Sequence, residues 1–140
     1  MIWRGAAAAL LAIAGLPVDA DPFCDDLNAV ADQVGGAALT YAQRPAICRP
    51  SLAMSGARHL HCSWKFPYRS AAAIDAFDLL TAKVAACVGP NATKTKDQSV
   101  NHPDAYQLRQ FNLDGREFAV SLKDKGALQQ TLVFVRVQLR

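Results

Sequence analysis

Four cysteines, Cys24, Cys48, Cys62 and Cys87, restrict the folds open to this chain more than any other feature. An even number of cysteines in a small exported protein predicts a disulfide framework. Zinc binding is the competing explanation, but zinc sites usually contain a close Cys-x-x-Cys pair. The smallest spacing here is fourteen residues, between Cys48 and Cys62. The spacing therefore favours two disulfides.

The first twenty residues have the layout of a cleavable secretory signal peptide. Arg4 gives a positively charged start, residues 5–16 are apolar and uncharged, and residues 18–20 (VDA) form a small-x-small cleavage site. The apolar stretch is shorter than the roughly 20 residues of a membrane-spanning helix. We expect residues 1–20 to be a signal peptide and residues 21–140 to form a single disulfide-stabilised domain without a membrane span. The alanine-rich composition favours a bacterial source, hence the periplasm or the extracellular space.

Composition gives no sign of a cofactor or of catalysis. The net charge is only +3 at pH 7, whereas nucleic-acid-binding domains usually carry a strongly basic patch. The sequence has no phosphate-binding glycine loop and no serine in a glycine elbow. Glu117 is the only glutamate, and the aspartates lie mostly where helix starts and turns explain them. We predict no catalytic residue, no cofactor and no metal.

Apolar residues at helical spacing predict two helices. Asp21 and Pro22 favour the start of the first helix and Gly35-Gly36 its end, while Ser70 and Gly89-Pro90 bound the second. Residues 37–45 fit either an extension of the first helix or a loop. The predicted apolar stripes are Phe23, Leu27, Val30 and Val34 in the first helix, and Ile74, Phe77, Leu80, Val84, Cys87 and Val88 in the second.

A β-hairpin is predicted between the helices, over residues 47–66 with a turn at residues 54–56. With Gly56 in the left-handed conformation, the three-residue loop sets a register that places Cys48 opposite Cys62. Opposed strand residues lie at a separation that a disulfide bridges. Cys24 then pairs with Cys87 and ties the start of the first helix to the end of the second. Because Pro50 lacks a backbone donor, its strand is predicted to be an edge strand.

The remainder of the chain predicts a surface loop over residues 89–103 and then a three-stranded meander. The first meander turn, residues 112–115 (NLDG), is typical of a type I turn with a glycine bulge. That register would place Tyr106 and Leu108 on the same side of the sheet as Phe118, Val120 and Leu122. The predicted fold is α+β in the order α-ββ-α-βββ, with two helices packed on one face of an antiparallel sheet of about five strands.

His59 and His61 are two positions apart in a strand and therefore share its polar face. Some zinc enzymes use this spacing, and His102 or Asp104 could complete such a site. The predicted hairpin register places Arg49 opposite His61, and a fixed cation opposes metal binding there. We therefore predict that both histidines are solvated. The alternative function is a small secreted hydrolase or metal-binding protein that uses this face.

The last strand, which starts near Leu128, is apolar on both faces at residues 132–135, whereas a strand with one solvated face should alternate. Two helices cover only one side of a sheet. If the final turn has two residues, Leu132 and Phe134 stay uncovered; if it has three, the intervening valines do. A covering loop or a central position for the strand would also explain the pattern.

We expect Arg109 and Phe111 to lie on the same uncovered face. Aromatic side chains mixed with arginine are typical of protein-binding surfaces. The sequence therefore predicts an exported non-catalytic binding module, such as an inhibitor, an immunity-type protein or an envelope accessory protein. Its expected partner is another protein or a second copy of the chain. The candidate surface comprises Arg109, Phe111, Leu132, Phe134 and Arg136.

Overall fold

The computed structural model describes residues 21–91, 93–94, 98–100 and 106–139, with the backbone alone for residues 93–94 and 98–100. Residues 1–20, where the signal peptide is predicted, lie outside this range, as do His102 and Asp104. The helices are α1 (Phe23–Ala31) and α2 (Ala71–Val88). The strands are β1 (Thr40–Tyr41), β2 (Arg44–Pro45), β3 (Ile47–Leu52), β4 (Arg58–Pro67), β5 (Thr93–Lys94), β6 (Gln98–Val100), β7 (Tyr106–Leu113), β8 (Arg116–Lys125) and β9 (Gln130–Gln138).

The predicted α+β class and the order α-ββ-α-βββ are confirmed. The five long strands form one antiparallel sheet in the order β3-β4-β9-β8-β7, and both helices contribute to the core on one of its faces. The short strands β5 and β6 pair with β7 at the far edge, so part of the predicted loop over residues 89–103 is strand. Residues 37–45 contain a separate two-stranded ribbon, β1–β2, rather than more helix.

Helix α1 begins beside Asp21, whose carboxylate accepts a hydrogen bond from the backbone N–H of Phe23 at 3.0 Å. Its buried side chains include Phe23, Leu27 and Val30, as predicted. The prediction for Val34 was wrong, because the helix ends at Ala31 and Val34 is 56% exposed. Gln33, with φ of 57°, turns the chain before the glycine pair is reached.

Helix α2 starts at the predicted cap, where the Ser70 hydroxyl accepts a hydrogen bond from the backbone N–H of Ala73. Phe77, Leu80, Val84 and Val88 are buried, as the stripe predicts. Ile74 does not belong to that stripe and is 51% exposed. The buried face at this end of the helix consists of alanines, which lets α2 lie close to the sheet.

The β3–β4 hairpin has the predicted register, with Cys48 opposite Cys62. Gly56 occupies the left-handed region at φ of 86°. Both predicted disulfides, Cys48–Cys62 and Cys24–Cys87, are present. Strand β3 lies at the edge of the sheet, as Pro50 indicates.

The register predicted for the β7–β8 hairpin was wrong by one residue. Leu113 pairs with Arg116, so the loop has two residues, and both Asp114 and Gly115 adopt positive φ (51° and 74°). This is the geometry of a type I′ turn rather than a type I turn with a bulge. A shift of one residue moves every side chain of a strand to the other face. Tyr106 and Leu108 therefore lie on the face opposite Phe118, Val120 and Leu122.

The turn before β9 spans residues 126–129, since Lys125 pairs with Gln130. A four-residue loop and a two-residue turn both contain an even number of residues, so both send the same side chains of β9 to the helices. Val133, Val135 and Val137 are fully buried against the helices, and Leu132 and Phe134 face the other way. Because β9 lies between β4 and β8, it is also a central strand.

Candidate functional surface

The sheet face turned away from the helices carries the candidate site, and we call it the outer sheet face. Its central part follows from the strand register, because cross-strand partners lie on the same face. Three rows of side chains cross β4, β9, β8 and β7: His61, Arg136, Ala119 and Gln110; Ser63, Phe134, Ser121 and Leu108; Lys65, Leu132, Lys123 and Tyr106.

Lys123 lies on β8 between two aromatic rings of the outer sheet face. Its ammonium is 5.2 Å from the ring centroid of Phe134 and 5.4 Å from that of Tyr106. A cation at this distance is attracted to the negative face of an aromatic ring. Burial, with a further contribution from Lys125 and Arg136, lowers the pKa of the Lys123 ammonium. Burial raises the pKa of the Tyr106 hydroxyl. The Lys123 ammonium is therefore a partly desolvated cation in contact with the Phe134 and Tyr106 rings.

His61 packs against the same cluster, with its ring centroid 6.1 Å from that of Phe134 in an edge-to-face arrangement. Its cross-strand neighbours are Arg49 on β3 and Arg136 on β9. Burial first, and then the charges of Arg136, Lys123 and His59, lower the pKa of the His61 imidazole. The histidine is therefore held towards its neutral form.

The expectation that both histidines are solvated was wrong. His61 is half-buried, and His59 is only 8% exposed. The Nε2 atom of His59 lies 4.0 Å from the Glu117 carboxylate, which also accepts a hydrogen bond from the Arg136 guanidinium. Flanking strands and long cationic side chains cover this part of the sheet. The alternation of polar and apolar residues along β4 does not predict this burial.

Positive charge dominates the outer sheet face. Among the described residues, Glu117 is its only carboxylate, and Arg136 already contacts it. The cations on this face are Arg49, Lys65, Lys123, Lys125 and Arg136. Such an excess favours an acidic partner, because complementary potentials steer encounter and suppress partners of like charge.

The predicted partner surface divides between the two sides of the sheet. Leu132, Phe134 and Arg136 lie on the outer sheet face, and all three are partly buried. Arg109 and Phe111 lie on the helix side, since Phe111 is 5% exposed in the core and the Arg109 guanidinium stands 5.1 Å from the Phe77 ring. The cause is the shifted β7–β8 register.

Sequence reasoning missed Lys123 and Tyr106, the two residues that complete the cluster around Phe134. The signal lay in the turn: Asp-Gly is a common type I′ pair. Reading residues 114–115 in that way would have placed Tyr106 beside Lys123 and opposite the helices.

A buried polar cluster on the helix side was also missed. The Asp124 carboxylate, on a residue 6% exposed, accepts hydrogen bonds from the Thr131 hydroxyl at 2.6 Å and from Nε of Arg69 at 3.2 Å. The Thr131 hydroxyl also accepts from the backbone N–H of Arg69 at 2.8 Å. These bonds fix the turn before α2 onto the β8–β9 hairpin. These hydrogen bonds between separate elements indicate a structural role.

Within the described residues, no group of three or more His, Cys, Asp or Glu side chains is placed to hold a metal ion. Both helices of the described chain lack the combination of length and apolar character needed to cross a bilayer. Comparison with protein families, with characterised proteins and with solved structures gives no significant match.

Proposed function

We propose that this chain is an exported, non-catalytic binding module that engages an acidic protein through the outer sheet face. The observation that carries the proposal is the Lys123 ammonium set between Tyr106 and Phe134 on a face with a large excess of cations. A partly desolvated cation flanked by aromatic rings is best stabilised by a partner that supplies a carboxylate to the cation and apolar surface to the rings.

Export is supported by three observations. The first twenty residues have the layout of a signal peptide. Two disulfides link all four cysteines, a pattern that persists in oxidising compartments. The described helices contain no membrane span. We propose the bacterial periplasm or the extracellular space as the site of action, with an inhibitor, an immunity-type protein or an envelope accessory protein as the functional class.

The test has two steps: cross-linking identifies a partner, and the affinity of the chain for that partner is then measured. A photo-reactive amino acid replaces Ser63, which neighbours Phe134 across β4 and β9, and the captured protein is purified. We expect Phe134→Asp and Lys123→Glu each to weaken its binding at least tenfold, since the first removes an apolar anchor and the second reverses a central charge. Added salt should also weaken binding.

Leu128→Asp is the matched control, because Leu128 is 66% exposed and lies in the loop before β9, outside the three rows of the outer sheet face. Its affinity should equal that of the unmodified chain. Far-ultraviolet circular dichroism must show each variant folded. A folded Phe134→Asp variant with unchanged affinity overturns the proposal, and so does a purified chain that self-associates through this face. Arg109→Glu should reduce stability instead, because Arg109 packs on Phe77.

A further inference from the structure

His61 lies within the outer sheet face, beside the apolar anchor of the proposed binding site. Its ring centroid is 6.1 Å from that of Phe134, in an edge-to-face arrangement. The side chain is half-buried, so part of the imidazole remains accessible from the side of the partner. A partner that covers the Phe134 ring therefore also approaches His61. If binding changes the pKa of this imidazole, the affinity depends on pH.

Cations predominate among the charged groups around His61. By strand register and position on the outer sheet face, the titratable and charged groups that surround it are Arg49 on β3, His59 and Lys65 on β4, Arg136 on β9, Glu117, Lys123 and Lys125 on β8, and Tyr106 on β7. Burial first, and then the charges of Arg136, Lys123 and His59, lower the pKa of the imidazole. The unbound chain therefore keeps His61 largely neutral at neutral pH.

The carboxylate of Glu117 serves the neighbouring histidine rather than His61. It accepts a hydrogen bond from the Arg136 guanidinium, and it lies 4.0 Å from Nε2 of His59. A proton gained by His59 would therefore be balanced locally by this carboxylate. No carboxylate is among the groups that act on the His61 imidazole. A proton gained by His61 therefore adds to the positive potential that an incoming partner meets.

A carboxylate brought by an acidic partner reverses the balance at His61. An opposite charge within about 4–6 Å favours the charged form of a titratable group. Covering the ring removes further water and acts in the opposite direction, but His61 is already half-buried and has less hydration left to lose. The effect of the carboxylate is therefore the larger one, and the pKa of the imidazole should be higher in the complex than in the unbound chain. Binding then takes up a proton, and affinity increases as pH falls.

We infer that His61 makes binding at the outer sheet face pH-dependent, so that this chain holds the carboxylates of its acidic partner more tightly in mildly acidic surroundings than at neutral pH. The inference rests on the proposed function, because it requires a carboxylate-bearing partner on this face. It gives a regulatory role to a residue that the proposed function does not use. Acid should therefore increase the affinity through the same residue through which it lowers the free energy of unfolding.

Poly-L-aspartate carrying a tetramethylrhodamine label serves as the probe while the natural partner is unidentified. Its carboxylates, with an ordinary pKa of about 3.9, stay largely ionised from pH 5.5 to 7.5. Fluorescence anisotropy at constant ionic strength measures its affinity for the oxidised chain. We expect binding about fivefold tighter at pH 5.5 than at pH 7.5, because a pKa difference of one unit corresponds to at most a factor of ten. In His61→Gln the two affinities should be nearly equal, while the affinity at pH 7.5 stays that of the unmodified chain.

His59→Gln is the matched control, because it removes a histidine from the same strand face whose charge Glu117 balances. It should keep the difference between the two pH values. His61→Phe is a second variant, which retains a ring beside Phe134 but has no proton to gain. Circular dichroism at both pH values identifies the variants that are folded.

The inference is overturned if the affinity of the unmodified chain is constant or rises with pH. It is also overturned if folded His61→Gln or His61→Phe keeps the full pH dependence, or if His59→Gln removes it as completely. Failure of the proposed function gives a different result, in which Lys123→Glu binds the probe at pH 7.5 as tightly as the unmodified chain. The inference then falls with the proposed function.

Discussion

His61 lies half-buried on β4, with Arg49 as its cross-strand partner on β3, and the charge of Arg136, its partner on β9, acts on the imidazole. Lys123 and His59 add further positive charge, and no carboxylate contributes to its pKa shift. Both burial and these cations penalise the imidazolium form. The pKa of His61 in the folded protein therefore lies below its ordinary value of 6.5.

This depressed pKa makes folding sensitive to acid. Between the folded pKa and 6.5, the unfolded chain binds more protons at this site than the folded protein does. The free energy of unfolding should therefore rise with pH through that window and lose its dependence on His61 above it. Urea titrations from pH 4.5 to 7.5 measure the slope. We expect His61→Gln to reduce the slope of the unfolding free energy against pH. Ser63→Ala, on the same strand face, should leave the slope unchanged. A slope that is unchanged in His61→Gln contradicts the assignment of this pH dependence to His61.

At the scale of single elements, the two hairpins show why local sequence predicts one register and misleads about another. For β3–β4, Gly56 and the requirement that Cys48 oppose Cys62 are independent signals, and they agree. For β7–β8, only the turn residues specify the register. Asp114 and Gly115 fit both a bulged turn and a two-residue type I′ turn. The wrong choice moved Arg109 and Phe111 to the wrong side of the sheet.

The two-residue turn itself can be tested by substitution at Gly115. Its φ of 74° lies in the left-handed region, where a side chain is strained even though no atom lies within 4 Å of the added Cβ. We expect Gly115→Ala to lower the free energy of unfolding by about 1 kcal/mol, as measured by urea titration. Gly35→Ala is the matched control: its surroundings are equally open and its φ is not positive. Equal effects of the two substitutions would contradict this account of the turn.

Over the whole molecule, the sequence predicts what depends on composition and short-range pattern: the class, the order of elements and the disulfide pairing. It does not predict every shared face, because the β7–β8 turn residues fit two registers and β4 pairs with β9, a strand distant in the sequence. The buried cluster of Asp124, Thr131 and Arg69 illustrates the limit, since it joins residues up to 62 positions apart. Polar side chains of this kind have no periodicity that marks them as buried.

The two disulfides join different parts of the molecule, and we expect their removal to have different effects. Cys24–Cys87 spans 63 positions and holds α1 against the end of α2, whereas Cys48–Cys62 spans 14 positions within one hairpin. Closing the longer loop removes more entropy from the unfolded chain. The expected stabilisation is about 4 kcal/mol for Cys24–Cys87 and about 3 kcal/mol for Cys48–Cys62. Against a total stability of about 5–15 kcal/mol, either loss is large.

Alanine replacement of each cysteine pair, followed by guanidinium titration, measures this difference. We expect the Cys24→Ala, Cys87→Ala variant to be the less stable of the two. It should also show faster amide hydrogen exchange in α1, because a nine-residue helix does not persist without packing. The Cys48→Ala, Cys62→Ala variant should keep β4 protected, since β9 pairs with β4 along nine consecutive residues. If removal of Cys48–Cys62 instead exposes α1 or costs more stability, the hairpin and not the helix pair anchors this fold.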